Sequence, residues 1–439
     1  MPSPISGFSR LSKRQKIEWL AQHYFSDPET AATDLYSWQH ADERQQQVLD
    51  GFTENALANF PLPFSVAPNF LINGTLYAVP MVIEESSVVA AAAGGAKFWL
   101  QRGGFKAEVL GTTKLGQVHF RWAGAPDRLK ALMPELTQHL LSDCAELTAN
   151  MRKRGGGVLD IELKDFTDLE PNYYQLLTRF ETCDSMGANF INSVLERFGD
   201  ALEAFLETQP GLSDAERDVE VIMCILSNLT PECLVRAWVE CPVAELEDLA
   251  RTEGMPGSAA IDRFCTAVRI AEIDPYRAAT HNKGIFNGID AVVVATGNDF
   301  RAVEACGHAY ACRDGQYRSL SRAWVENGLF RFELKIPLAL GAVGGLTALH
   351  PLARRALEML GNPSARELMM IVASVGLAQN FSAVRSLVTT GIQQGHMKMH
   401  LTNILNHLGA SQEACAAAQA HFQNQTVSFS AVRKFLEER

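Results

Sequence analysis

Between Tyr276 and Asp299 the chain sets Arg277, Asn282, Lys283, Asn287, Asp290, Asn298 and Asp299 around two apolar runs, Ile285-Phe286 and Ala291 to Ala295. A guanidinium, an amine, three amides and two carboxylates beside core-forming residues need partners or a substrate. Burying such groups unpaired costs roughly several kcal/mol. Lys283 and Asp299 are the natural candidates for acid–base work there. Taken alone, Lys283 reads rather as a surface lysine in a loop, since lysine is seldom buried. Asp299, after Gly297-Asn298, also fits a helix N-cap. The two are too far apart to share a helix turn, so only the fold can join them.

Other candidates lie at a distance in sequence. Glu85 stands just before a helix start, where the helix dipole favours a carboxylate. His396 and His400 are spaced i, i+4 and would share a helix face. There is no H-E-x-x-H arrangement and no third ligand, so no metal site is expected. No G-x-G-x-x-G follows a strand, which removes the Rossmann fingerprint. Asp184-Ser185-Met186-Gly187-Ala188-Asn189 can present backbone amides and a helix N-terminus to a phosphate, a weak anion-site signal by itself.

The elements that must position these residues fill 439 residues, enough for two or three domains. Hydrophobic content of 47% and charged content of 20% are those of an ordinary globular protein. A net charge of −11 argues against nucleic acid as a partner. The nine cysteines contain no C-x-x-C pair and read as free thiols in a reducing cytoplasm. The Ala-rich run Val88 to Ala96 is too short to span a membrane, and Met1 to Arg14 lacks the apolar centre of a signal peptide.

Helices are predicted over Ser12 to His23 and Asp42 to Asn55, then a hairpin over Phe70 to Ile83 turning at Asn73-Gly74, then an Ala-rich helix. Strands in Lys106 to Trp122, one long helix from Pro126 to Arg154, strands at Val158 to Leu163 and Tyr173 to Thr182, a helix from Asp184 to Leu206 and a strand at Val219 to Leu226 follow. This β-α-β-β-α-β order suits an inserted ferredoxin-like domain. Beyond Leu229 the chain reads as mostly helical, apart from a strand-rich Leu329 to Leu340. A polar helical tail runs from Gln379 to Arg439.

Several motifs in order resemble the class II, bacterial-type 3-hydroxy-3-methylglutaryl-coenzyme A reductases. They are Glu54-Asn55, Val79-Pro80, Glu84-Glu85-Ser86-Ser87-Val88-Val89 and Asp184 to Asn189. Asp274-Pro275-Tyr276-Arg277, Lys283, Asn287-Gly288-Ile289-Asp290, Gly297-Asn298-Asp299, Gly341 to Gly345 and Gly395-His396-Met397 complete the series. The resemblance covers nearly the whole chain. It implies an α+β fold: a large, mainly helical substrate domain, an inserted small ferredoxin-like α/β cofactor domain, and a C-terminal helical flap. The corresponding boundaries are 1–112 and 219–388 for the large domain, 113–218 for the small one and 389–439 for the flap.

By the same resemblance the chain interconverts 3-hydroxy-3-methylglutaryl-CoA with mevalonate and coenzyme A in two hydride transfers. Lys283 would stabilise negative charge on the reacting oxygen, and Glu85 would exchange its proton. Asp299 would link the two, and His396 would protonate the coenzyme A thiolate. Arg277 would hold the substrate carboxylate, with Ser87 and Asn287 adding hydrogen bonds; Arg10 and Gln379 match positions near coenzyme A. Asp184, Met186, Gly187, Ala188 and Asn189 match the cofactor loop, supported by Asn192 and Asn228. Thr148 stands where relatives that prefer NAD carry an aspartate for the adenosine ribose, with Arg152, Lys153 and Arg154 close by, so the expected cofactor is NADPH or NADH with a lean to NADPH. A cytoplasmic homodimer or higher homo-oligomer with interfacial sites is implied, without nucleic acid, membrane or metal. A non-catalytic acyl-CoA-binding homologue and a non-redox acyl-CoA enzyme are the alternatives. The full set of Glu85, Lys283, Asp299 and His396 argues against mere binding.

Overall fold

The computed structural model describes residues 4–250, 255–389, 391, 401–402, 404–422, 425 and 427–438. They fall into two compact units, Met1–Pro63 with Leu349–Pro351, and Phe64–Ala348 with Leu352–Arg439. The first unit holds helices α1 (Lys13–Tyr24), α2 (Pro28–Ser37) and α3 (Glu43–Asp50). Ser12 and Gln15 start α1 with a reciprocal capping box. Helix α2 was not anticipated, although Asp27 caps it and Pro28 opens it in the manner that marks helix starts. Helix α3 is shorter than the expected Asp42 to Asn55, and Asn55 has a φ of 57°, which no α-helix continues through.

The second unit begins with the expected hairpin, β1 (Phe64–Ile72) and β2 (Thr75–Val82), which turns at Asn73 and Gly74 with positive φ at both. Helix α4 (Val88–Leu100) and strand β3 (Lys106–Val109) follow. Next come β4 (Lys114–Arg121), α5 (Pro126–Asp143), α6 (Ala145–Lys153), β5 (Gly157–Asp165), β6 (Tyr173–Glu181), α7 (Ala188–Thr208), α8 (Asp214–Arg217) and β7 (Glu220–Ser227). The four strands form an antiparallel sheet in the order β5-β6-β4-β7, which therefore runs on to Ser227. Its apolar face packs Phe120, Leu176 and Phe180 against Leu136 of α5 and Phe198 and Leu202 of α7. The single helix expected over Pro126 to Arg154 is broken at Cys144, whose ψ of 10° departs from the helical value while its amide still bonds Leu140.

A second sheet has the order β3-β8-β10-β9, with β8 (Leu234–Pro242), β9 (Ser321–Glu326) and β10 (Leu329–Pro337). The chain beyond Leu229 is mostly helical, as expected, but it also carries β8 and β9, which were not anticipated. Strand β8 buries Val235, Ala237, Val239 and Cys241 and turns Arg236, Trp238 and Glu240 the other way, a period-two pattern that the sequence itself carries. Helices α9 (Gly257–Ile273), α10 (Pro275–Ala295), α11 (Phe300–Ala311), α12 (Gly345–Leu349), α13 (Pro351–Met359) and α14 (Ala365–Val388) make up the rest of this part of the chain. The segment Tyr276 to Ala295, which holds Lys283, is thus one continuous helix rather than a loop.

Helix α14 passes through Gln379 without a break, so no tail begins there. Among the described residues it is the one helix long and apolar enough to cross a membrane. It is 83% buried over that window, packed on α4, α9 and α10, and serves as a core helix. Phe381 on α14 packs edge-to-face against Trp99 of α4 and at a tilt against Phe264 of α9, anchoring that core. After α14, the helices Gln412–His421 and Phe429–Glu437 share a separate small cluster that includes Leu405, Phe422 and Val432. All nine cysteines are free.

Candidate active site

Helix α10 begins at Asp274, whose carboxylate accepts from the Tyr276 amide, with Pro275 at its first position. The polar residues that looked in need of partners now separate into two groups. His281, Asn282 and Asn298 are spent on the scaffold. Asn282 is fully buried, donates to the Arg318 carbonyl at 2.9 Å and accepts from the Leu320 amide at 3.0 Å. Asn298 donates to the Gly341 carbonyl and accepts from its amide at 3.0 and 2.8 Å. His281 Nε2 meets Ser321 Oγ at 2.7 Å, and that hydroxyl donates to Asn380 Oδ1 at 2.8 Å. Ser321 therefore accepts from Nε2–H, and burial pushes the imidazole down to about pKa 3, keeping it neutral.

The second group faces no such partner. Lys283 Nζ reaches Glu85 Oε2 at 2.7 Å, across 198 residues of chain. The pair is 59% and 37% exposed, so its contribution to stability is at most about 1 kcal/mol. Fold stability alone does not account for it. Glu85 is delivered by a tight turn: Ser87, the N-cap residue of α4, has φ 71°, a left-handed conformation costing a serine about 1–2 kcal/mol. Its hydroxyl turns back to the Ser86 carbonyl.

Arg277, half-buried on α10, has no hydrogen bond or ion pair among the described residues. Burial pushes its pKa below the ordinary arginine value, the mark of a cation short of counter-charge. Asn287, one turn beyond Lys283, is likewise free to bond a ligand among the described residues. The neighbouring Gly288 lets α14 approach closely, since a Cβ there would lie 2.8 Å from the Cβ of Gln379. Gln379 is 5% exposed, and its Oε1 is buried without a partner.

Asp299 caps α11, accepting from the Arg301 and Ala302 amides at 3.0 and 3.1 Å. No hydrogen bond or ion pair joins it to Lys283 among the described residues. His396 lies outside the described residues. Arg10 ends a short 3-10 turn, Phe8–Arg10, in the first unit.

The loop at Asp184 is fixed from several sides. The Asp184 carboxylate accepts from the Ala365 amide at 2.8 Å, and its carbonyl accepts from Ala342 at 2.8 Å. Gly187 then caps α7 with φ 89°, and a Cβ there would stand 2.5 Å from Thr182 Cγ2. With no side-chain cap, the first amides of α7 at Ala188, Asn189 and Phe190 remain open to an anion. Met186, Ala188 and Asn228 line a small cleft beside them. Asn192 uses its Oδ1 to accept from the Leu226 amide at 2.9 Å. Thr148 is 3% exposed, with its hydroxyl bonded to the Cys144 carbonyl at 3.0 Å. Arg152, Lys153 and Arg154 are exposed just after it. Among the described residues no cluster of three or more histidine, cysteine or carboxylate side chains is arranged to hold a metal.

The profile of the hydroxymethylglutaryl-coenzyme A reductases matches residues 12–401. The chain belongs to the hydroxymethylglutaryl-coenzyme A reductase family. It is 34% identical to the 3-hydroxy-3-methylglutaryl-coenzyme A reductase of Archaeoglobus fulgidus over 412 residues, covering 94% of this chain and 88% of that protein. A probable enzyme of the same name from Borreliella burgdorferi is 31% identical over 409 residues, 91% of this chain and 85% of that one. The class II enzyme of Streptococcus pneumoniae, solved bound to NADPH in open conformations, superposes with a TM-score of 0.72 at 36% identity, over 88% of this chain and all of that one. The class II resemblance read from the motifs holds. The chain is accordingly an NAD(P)H-dependent oxidoreductase of the mevalonate pathway.

Sequence reasoning passed over one ionisable pair near the site. Asp290 on α10 and Glu304 on α11 are neighbouring, half-buried carboxyls, and among the described residues Asp290 Oδ1 has no hydrogen-bond partner. Burial and the Glu304 charge push Asp290 up to about pKa 8 from 3.8. Between these values the folded protein holds a proton that the unfolded chain has released. Stability from this group is therefore full below about pH 4 and lost as pH rises toward 8. Asp290→Asn keeps a donor for Glu304 without that proton uptake. Urea unfolding of this variant at a series of pH values should show greater stability than the wild type at pH 8 and a flatter pH dependence below it. An unchanged slope would refute the assignment.

Proposed function

We propose that Glu85, Lys283, Asp299 and His396 carry the reduction of 3-hydroxy-3-methylglutaryl-CoA to mevalonate and coenzyme A, and its reversal. The observation that carries this reading is the Lys283–Glu85 contact on a helix that also offers Arg277 and Asn287, both unpaired among the described residues. Lys283 donates to the thioester carbonyl oxygen, where negative charge grows as the hemithioacetal forms. Glu85, in contact with Lys283, exchanges a proton with that oxygen. Asp299 links the two and holds their protonation states, and His396 protonates the departing thiolate so that it does not re-add to the aldehyde. Arg277 holds the free carboxylate of the substrate through a planar, bidentate donor. Ser87 and Asn287 add hydrogen bonds, while Arg10 and Gln379 serve coenzyme A.

The bound nicotinamide supplies or accepts the hydride. The fit of this chain to a dinucleotide is supported by the uncapped amides opening α7 and the Asp184, Met186, Gly187, Ala188 and Asn189 loop strapped beside them, with Asn192 and Asn228 in support. Position 148 is occupied by a threonine turned inward, followed by three exposed cations, which favours NADPH over NADH by removing repulsion of a 2′-phosphate. The β5-β6-β4-β7 sheet with its helices supports a ferredoxin-like cofactor domain inserted from residue 113, whose last strand carries it past the expected end at 218 to Ser227. The flanking segments form the substrate domain, and residues 389–439 form a flap that brings His396 to the site. The assembly is a cytoplasmic homodimer or higher homo-oligomer with active sites between subunits.

Stoichiometry and cofactor choice test the reading together. Two equivalents of cofactor should be oxidised per thiol released from the thioester, with kcat/KM for NADPH above that for NADH. One equivalent per thiol would break the two-step scheme, and a large NADH preference would overturn the role of position 148.

A further inference from the structure

Lys114 opens strand β4 and is 4% exposed, yet no carboxylate oxygen lies within 4.0 Å of it among the described residues. Its ammonium donates to Thr182 Oγ1 at 2.6 Å and to the Ser185 carbonyl at 3.4 Å. Both acceptors are neutral. Thr182 Oγ1 itself donates to the Ser185 carbonyl at 2.7 Å, so the ammonium closes the turn that leads into Met186 and Gly187. The two acids nearby in sequence are engaged elsewhere. Glu181 accepts from the Thr112 hydroxyl and from the Cys183 amide at 2.7 Å, and Asp184 accepts from the Ala365 amide. An ammonium carries three donors, and among the described residues two acceptors are present. A desolvated positive charge left in this state is costly until an anion shares its surroundings. The cleft that Lys114 lines is bordered by Met186, Ala188, Ser227 and Asn228, beside the open amides of α7.

The geometry points to Lys114 as a positioning residue for the dinucleotide, fixing the Thr182–Met186 turn and supplying the positive charge for the anionic diphosphate portion of the cofactor. The inference rests on the cofactor-loop assignment above and adds a residue on a different strand. Nothing in the local sequence, Thr112-Thr113-Lys114-Leu115-Gly116, marks it as a ligand residue.

Lys114→Gln keeps hydrogen-bond donors for the turn and removes the charge; Lys114→Met removes both. Dissociation constants of NADPH and of ADP, used as a diphosphate probe, would be measured by fluorescence titration beside steady-state kinetics. Both variants should weaken NADPH and ADP at least tenfold and raise KM for the cofactor. The dissociation constant for 3-hydroxy-3-methylglutaryl-CoA should not move, and kcat should fall less than threefold. Lys114→Gln that folds and binds NADPH and ADP as the wild type does would overturn the proposal, and it decides the matter if Lys114→Met does not fold. A wild-type protein that binds neither NADPH nor NADH would instead overturn the cofactor reading itself.

Discussion

Replacing Lys283 with alanine is expected to lower kcat by about two to three orders of magnitude, the effect of removing a main donor to a developing oxyanion. Binding of the acyl-CoA should change little, because the donor acts most strongly after charge has appeared on the oxygen. The fold should also survive. Lys283 is 59% exposed and its one partner, Glu85, is 37% exposed, so neither is left as a buried charge. Thermal unfolding within a few degrees of the wild type, with single-turnover kinetics slowed in the chemical step, would meet this expectation. A variant with near wild-type kcat would remove Lys283 from the chemistry.

Arg277→Ala should act on the other parameter. Its guanidinium is half-buried and unpaired among the described residues, and burial already holds its pKa below the usual value. A substrate carboxylate placed against it would form a charge-assisted pair in a partly desolvated setting, contributing roughly 2–3 kcal/mol. Its loss should raise KM for the acyl-CoA by about 10²-fold, with a smaller change in kcat. Arg277→Lys should recover only part of this, because a point charge cannot reproduce a planar bidentate donor. The free protein should be no less stable without Arg277, since a half-buried charge with no partner among the described residues has been removed. Equal losses with thioesters that carry and lack the free carboxylate would contradict the assignment.

Much of this arrangement was legible in the chain because its signals are local. The helix starting at Ser12, the Asn73-Gly74 turn, the Ala-rich run and the β-α-β-β-α-β order rest on short-range rules of spacing and dihedral preference. So does the recognition that the Tyr276–Asp299 polar residues must have partners. Which partners they find was not legible. Asn282 bonds residues near 318 to 320, Asn298 bonds Gly341, and Lys283 meets Glu85 from 198 residues away. Those pairings come from packing α10 against α4, α11 and α14, which no window of sequence contains. Asp290 was read only as part of a motif, because its shifted titration depends on Glu304 across a helix pair. Strand β8 is a different kind of miss, since its alternation was present and the helical character of the flanking segment obscured it.

Reduction of a hydroxymethylglutaryl thioester by a reduced nicotinamide, with Lys283 donating to the reacting oxygen, is the chemistry proposed for this chain. Absorbance of NADPH and NADH, followed with purified protein and 3-hydroxy-3-methylglutaryl-CoA, tests it most directly. Oxidation that requires the thioester and is lost in Lys283→Ala is the predicted result. A folded protein that binds the acyl-CoA but turns over neither cofactor would contradict the account and leave a binding homologue of the same fold.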